Sequence, residues 1–198
     1  MNITSEMVKA LREKTQAGMM DCKEALKASD GDMDKAVEYL RKKGLATAQK
    51  RAGRTTSQGQ VGSYIHAGGK IGVLVEVNCE TDFVARTEQF SELVHNLAMH
   101  IAAANPVCIR REEFPPELLQ KEREIYLAQA RETGKPEKVL EKIVEGKLEK
   151  YFKETCLMEQ AYVKNPDITI ADLLNETIAQ IGESITIRRF VRFQLGEE

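Results

Sequence analysis

The chain has 198 residues, of which 42% are hydrophobic and 30% charged, and its formal net charge is −2. That length holds one full core plus a small second module, since single domains centre on roughly 100 to 150 residues. The near-neutral balance excludes a global pull toward nucleic acid or membrane, so any charge-driven role is local.

The opening MNITSEMVKALREK has no apolar run ahead of a small-residue cleavage site. No window reaches the roughly 18 apolar residues of a membrane span, and the expected compartment is the cytoplasm. Residues 1–54 read as three short helices. The first starts near Thr4 or Ser5, carries Val8, Leu11 and Thr15 on one face and is expected to stop at Gly18. Asp21 followed by Glu24 has the spacing of a capping box and predicts a second helix through Leu26, ending at Asp30-Gly31. Asp32 caps a third, with Met33, Ala36, Val37 and Leu40 on its apolar face and Gly44 as its expected stop.

Residues 45–60, LATAQKRAGRTTSQGQ, lose that periodicity and read as a linker. The first 54 residues hold 12 Lys and Arg against 8 Asp and Glu, which concentrates basic character at the front. Beyond the linker the apolar period becomes two. QVGSYIHAGGKIGVLVEVN predicts a hairpin, with strands through Val61–Ile65 and Ile71–Val77 turning at Gly68-Gly69. Residues 87–104 place Phe90, Leu93, Val94, Leu97 and Ile101 on one helical face, expected to pack on the sheet. Two amphipathic helices follow at about 116–132 and 136–154. The short TGKP between them implies an antiparallel hairpin. The first presents Leu118, Leu119, Ile125, Tyr126 and Leu127, the second Val139, Leu140, Ile143, Val144, Leu148 and Phe152. Thr169 and Asp172 mark a further helix start. SITIRRFVRFQL, residues 184–195, is the last strand, with Ile185, Ile187, Phe190 and Phe193 in an alternation broken between Arg188 and Arg189 as by a bulge.

Residues able to support catalysis are sparse. His95 and His100 are five apart and do not share a helix face as an H-E-x-x-H pair does, and His66 ends a strand. Cys22, Cys79, Cys108 and Cys156 form no C-x-x-C pair and read as small buried thiols. AGGKIG, residues 67–72, lacks Lys-Ser or Lys-Thr and runs into a strand, so no helix N-terminus stands behind it to hold phosphate. The basic run from Arg41 to Arg54 has no interleaved aromatics, unlike the stacking platforms of single-strand binders, and reads as a solvated helix end more than a nucleic-acid patch. No catalytic residue, metal site or cofactor is expected.

Two stretches stay open on pattern alone. In TQAGMMDCKEAL, residues 15–26, one of Met19 and Met20 is able to close the small core, but adjacent residues do not both point inward easily. In VNCETDFVAR, residues 77–86, Phe83 is either an aromatic plug or an exposed anchor for a partner pocket, with Val84 or Cys79 as alternative plugs.

TQAGMMDCKEAL and ETDFVAR, in this order and separation, together with GKPEKVLEKIVEGKLEKYFKE and RRFVRFQLGE, closely resemble the bacterial elongation factor Ts family. The resemblance covers nearly the whole chain. It implies an α+β fold: a small three-helix, ubiquitin-associated-like N-terminal domain (1–54, with linker) and an α/β core (55–198) with a three-stranded antiparallel sheet and an inserted helical hairpin at about 116–154. It implies a guanine-nucleotide exchange factor for elongation factor Tu, acting without catalytic residues. Thr81, Asp82, Phe83 and Val84 are implied as the contact that disturbs the partner's magnesium site, and Arg12, Met19 and Met20 as a second grip. Longer members carry a second related core half and an extra C-terminal module. With one sheet only, the chain resembles the short form, which implies a homodimer with two partner molecules bound, and no direct contact with nucleic acid or membrane.

Overall fold

A computed structural model describes residues 3–132, 134 and 136–197. Helix α1 (Ser5–Thr15) is capped by Thr4, whose side chain accepts the Met7 N–H. It ends three residues earlier than the glycine spacing predicts, because Gln16 takes the left-handed conformation (φ 56°) and donates both its N–H to Arg12 O and its side-chain amide to Glu13 O. Gly18 instead precedes α2 (Met19–Ala28), which has no side-chain cap. Asp21 therefore lies inside the first turn of α2, where its carboxylate favours the helix dipole and receives Lys43 at 2.9 Å. Helix α3 (Met33–Arg51) is capped by Asp32, which accepts the Asp34 and Lys35 N–H groups. It runs through Gly44 instead of stopping there, so residues 45–51 of the expected linker are helical. Val8, Leu11, Cys22, Ala25, Leu26 and Ala36 form the core of this bundle.

Strands β1 (Gln58–Ile65) and β2 (Ile71–Cys79) make the expected hairpin. A four-residue helix, α4 (Asp82–Ala85), then fills the corner that pattern reading left as a plain turn, and α5 (Glu88–Ala104) follows. The face predicted for α5 is buried throughout: Phe90, Leu93, Val94, Leu97 and Ile101. A Cβ at Gly62 of β1 would run into Val94 Cγ1, so this glycine is what lets α5 approach the sheet closely.

Helices α6 (Pro116–Arg131) and α7 (Glu137–Thr155) form the helical hairpin; of the TGKP between them, Thr133 and Lys135 lie outside the described residues. Leu119, Tyr126, Leu127 and Ala130 pack against Leu140, Ile143, Val144, Leu148 and Phe152, while Ile125 and Val139 stay exposed. At the base of the hairpin the incoming and outgoing chains pair through Cys108 and Cys156, and the Arg111 guanidinium spans Glu149 and Glu159 above Phe152. A short hairpin, β3 (Ala161–Tyr162) with β4 (Asn165–Thr169), follows; two residues in β3 are too few to show an alternation, and it escapes pattern reading.

Helix α8 (Ile170–Ile181) ends at Gly182, whose φ of 87° is open to glycine at little cost. The final strand, β5 (Ile185–Gln194), completes a three-stranded antiparallel sheet in the order β1-β2-β5. Burial along β5 changes phase after Arg188, as the broken alternation predicts. The change puts Phe193 on the exposed side, away from Ile185 and Ile187. Arg192 donates to Ala102 O of α5, so Val191, Phe193 and Leu195 occupy the opposite face of the sheet. The chain divides into two compact units, one of Met1–Val61, Glu76–Leu93 and Asp172–Arg188, the other of Gly62–Val75, Val94–Ala171 and Arg189–Glu198.

Candidate functional site

The corner after β2 is built by side chains that satisfy the backbone where sheet pairing ends. Thr81 caps α4: its hydroxyl accepts the Val84 N–H at 3.3 Å and donates to Glu183 at 2.7 Å. The Thr81 N–H also goes to Glu183, at 3.0 Å, and the Cys79 thiol donates to Thr81 O. One residue earlier the roles reverse, since Glu80 accepts the Ser184 N–H at 2.7 Å. That hydrogen bond, with Arg54 nearby, holds the Glu80 carboxyl below its ordinary range.

With Thr81 held on both sides, the first turn of α4 has one orientation. Val84 (6% exposed) and Cys79 turn inward and supply the apolar plug, and Phe83 stands 78% exposed. Asp82 is also exposed and pairs with Arg86 at 2.9 Å, four residues on. The corner thus presents an aromatic ring beside a carboxylate on a backbone fixed by Glu183. Exposed rings on rigid turns are the form that interface anchors take, because little side-chain or loop entropy remains to be lost on binding.

The second group of residues sits at the end of α1 and the start of α2. Arg12, Met19 (47% exposed) and Met20 (76% exposed) all face outward, so the small core is closed without either methionine. Ala17, Met7, Met33 and Val37 cover it instead. This patch and the corner lie in the same compact unit, and α8 reaches both. Arg41 pairs with Asp172 at 2.6 Å, and Gly44 of α3 faces Ala179. Gln180 donates to Thr15 O at 3.0 Å and accepts from Gln89 at 2.6 Å.

Sequence reasoning missed Glu80, Gln180, Glu183 and Ser184. One sign of them was available: a carboxylate just past the C-terminus of a helix opposes the helix dipole, so Glu183 in that place calls for a donor from elsewhere. Which donor was not legible, because Thr81 is 102 positions away.

The basic run is largely engaged within the molecule. Lys43 holds Asp21 and Glu24, Arg41 holds Asp172, and Arg54 faces Glu80. His100 is buried and satisfied: its Nε2–H donates to Gln160 Oε1 at 2.9 Å, and its Nδ1 accepts the Val163 N–H. The Gln160 amide is oriented by its own donations to Ala104 O and Glu154 O, which fixes the neutral tautomer of the ring. Burial pushes up all four thiols, with Cys108 reaching about 12, so none has the lowered pKa of a nucleophile. No group of three His, Cys, Asp or Glu residues able to hold a metal ion occurs among the described residues. None of their helices is long and apolar enough to cross a membrane.

The chain matches the family model described as "Elongation factor TS" over residues 1–197. It is 65% identical over 195 residues to elongation factor Ts of Desulfosudis oleivorans, an alignment covering 98% of each chain. It is 62% identical over 197 residues to elongation factor Ts of Geobacter sulfurreducens, covering 100% of this chain and 91% of that one. Against elongation factor Ts of Carboxydothermus hydrogenoformans it is 64% identical over 195 residues, covering 98% and 90%.

Proposed function

Because the chain belongs to the elongation factor Ts family, we infer that the outward-facing corner at Asp82-Phe83 and the patch of Arg12, Met19 and Met20 are the surfaces through which it engages elongation factor Tu. The family's activity is guanine-nucleotide exchange on that GTPase, without catalytic residues of its own. A GTPase holds GDP through backbone amides, a lysine and a magnesium ion. A protein that binds preferentially to a conformation with a disturbed magnesium site weakens GDP by the factor by which GDP weakens that protein. Such work needs differential binding and no acid, base or nucleophile.

The observation that carries the reading is Phe83, an exposed ring on a corner whose apolar plug is already supplied by Val84 and Cys79. Thr81 and Val84 then act from beneath, one capping the turn and the other packing it, while Asp82 and Phe83 meet the partner. Residues 1–54 serve as the ubiquitin-associated-like grip and 55–198 as the core, working in the cytoplasm. The test is release of fluorescent GDP from elongation factor Tu on addition of catalytic amounts of the protein. Absence of acceleration by the wild-type chain overturns the reading.

A second copy of the chain is the proposed cover for the open sheet face. Ile65, Leu74, Val191, Phe193 and Leu195 are exposed large apolar residues, and Ile65 lies across Gly72 of the neighbouring strand. A monomeric protein rarely leaves such a contiguous patch in water. A homodimer burying it leaves each protomer's corner free to hold one partner molecule.

A further inference from the structure

We propose that Gln180 and Glu183, at the end of α8, are positioning residues that fix the distance between the two partner-facing patches, so that partner binding is a single two-point event on a rigid frame. The proposal rests on the assignment of those patches made above. One amide, that of Gln180, donates to Thr15 O, the last carbonyl of α1, and accepts from Gln89 in the first turn of α5. Thr15 is four residues before Met19 and Gln89 six residues after Phe83, so the ties fall close to both patches. Three residues on, Glu183 takes both donors of Thr81 and locks the cap that aims Phe83 outward. Between them Gly182, with φ 87° and its N–H on Ile178 O, ends α8 in the left-handed conformation, so that Glu183 leaves the helix path.

The physical consequence is an effective concentration. When the first patch docks, the second contact is intramolecular, and its advantage is large only if the frame already holds the required separation. Loosening the frame leaves each patch intact yet weakens their joint action. It also lowers what Phe83 adds, because a ring on a mobile corner loses ordering entropy when it docks.

The experiment measures partner affinity and GDP release for wild type, Gln180→Met, Phe83→Ala and the double variant, with thermal unfolding of each. Gln89→Ala is a second route to the same tie, since Gln89 is exposed and its loss removes one hydrogen bond without touching the core. Expected are affinity losses of about 5- to 30-fold for Gln180→Met and smaller ones for Gln89→Ala. Melting temperatures should stay within about 3 °C of wild type. The affinity cost of Phe83→Ala should be at least about threefold smaller in the Gln180→Met background, a coupling that general destabilisation does not produce. Equal costs in both backgrounds, or unchanged affinity in folded Gln180→Met and Gln89→Ala, overturn the proposal. If wild type itself fails to release GDP, it is the functional reading that falls. If Phe83→Ala is harmless in wild type, the assignment of the corner falls.

Discussion

The carboxylate of Glu183 receives two hydrogen bonds from Thr81, from the backbone N–H at 3.0 Å and from the hydroxyl at 2.7 Å. The same hydroxyl caps α4. One threonine thus joins the start of a helix to a segment about a hundred residues away. Replacing Thr81 with Ala removes the cap and one of the two bonds, and should lower stability by about 1–2 kcal/mol in urea unfolding. Exchange should fall further than that loss accounts for, because Phe83 loses its fixed direction. Thr81→Ser keeps the hydroxyl and should restore most of the activity.

Phe83→Ala should leave the urea midpoint of unfolding nearly unchanged, since the ring is 78% exposed and contributes little to the core. GDP release should slow by about tenfold or more, as expected when an interface anchor is removed. Val84→Ala should show the opposite balance, with lost stability of about 1–2 kcal/mol from a buried apolar cavity and a smaller direct effect on binding.

The contrast between these neighbours shows what was legible in the chain. The TDFV corner was recognisable, and so was the choice between Phe83, Val84 and Cys79 as its plug. The choice itself depends on the capped turn of α4, which sets the face of each side chain and is held by Glu183. Local rules also misplaced Gly18 and Gly44, both expected as helix stops. At α1 the left-handed Gln16, with its N–H on Arg12 O and its side-chain amide on Glu13 O, ends the helix first, and Gly44 lies inside α3, facing Ala179. The β1-β2 hairpin and the long amphipathic helices were readable because their periodicity is a local property. The pairings organising the corner and α8 join distant segments, which periodicity does not encode.

His100 gives a pH prediction. Burial holds its pKa below the ordinary 6.5, and protonating Nδ1 would also end the bond from the Val163 N–H. Below pH 6.5 the unfolded chain therefore binds more protons at this site than the folded one, so stability rises with pH through that window and levels off above it. Urea midpoints measured between about pH 5 and 7.5 should show this slope, and His100→Gln should flatten its contribution while lowering stability throughout.

Phe193→Glu should disrupt self-association without unfolding the chain, because the side chain is exposed on the outer face of β5. A charge placed where two apolar faces meet is costly unless it finds a partner. Sedimentation should give the monomer mass for this variant at concentrations where wild type gives the dimer. A wild-type monomer at those concentrations would remove the proposed second copy.

The four inward-facing thiols also leave the surface chemically blank. Every native cysteine is buried, and burial raises the pKa of each. A maleimide dye at neutral pH thus meets almost no reactive thiolate on the folded chain. Lys23→Cys and Glu88→Cys, at exposed positions near the two patches but outside them, each create one addressable handle with no need to strip out the native cysteines. The molecule is in effect already prepared for site-specific fluorescence, and with both positions labelled in one chain the separation of its two grips can be watched directly while the partner binds.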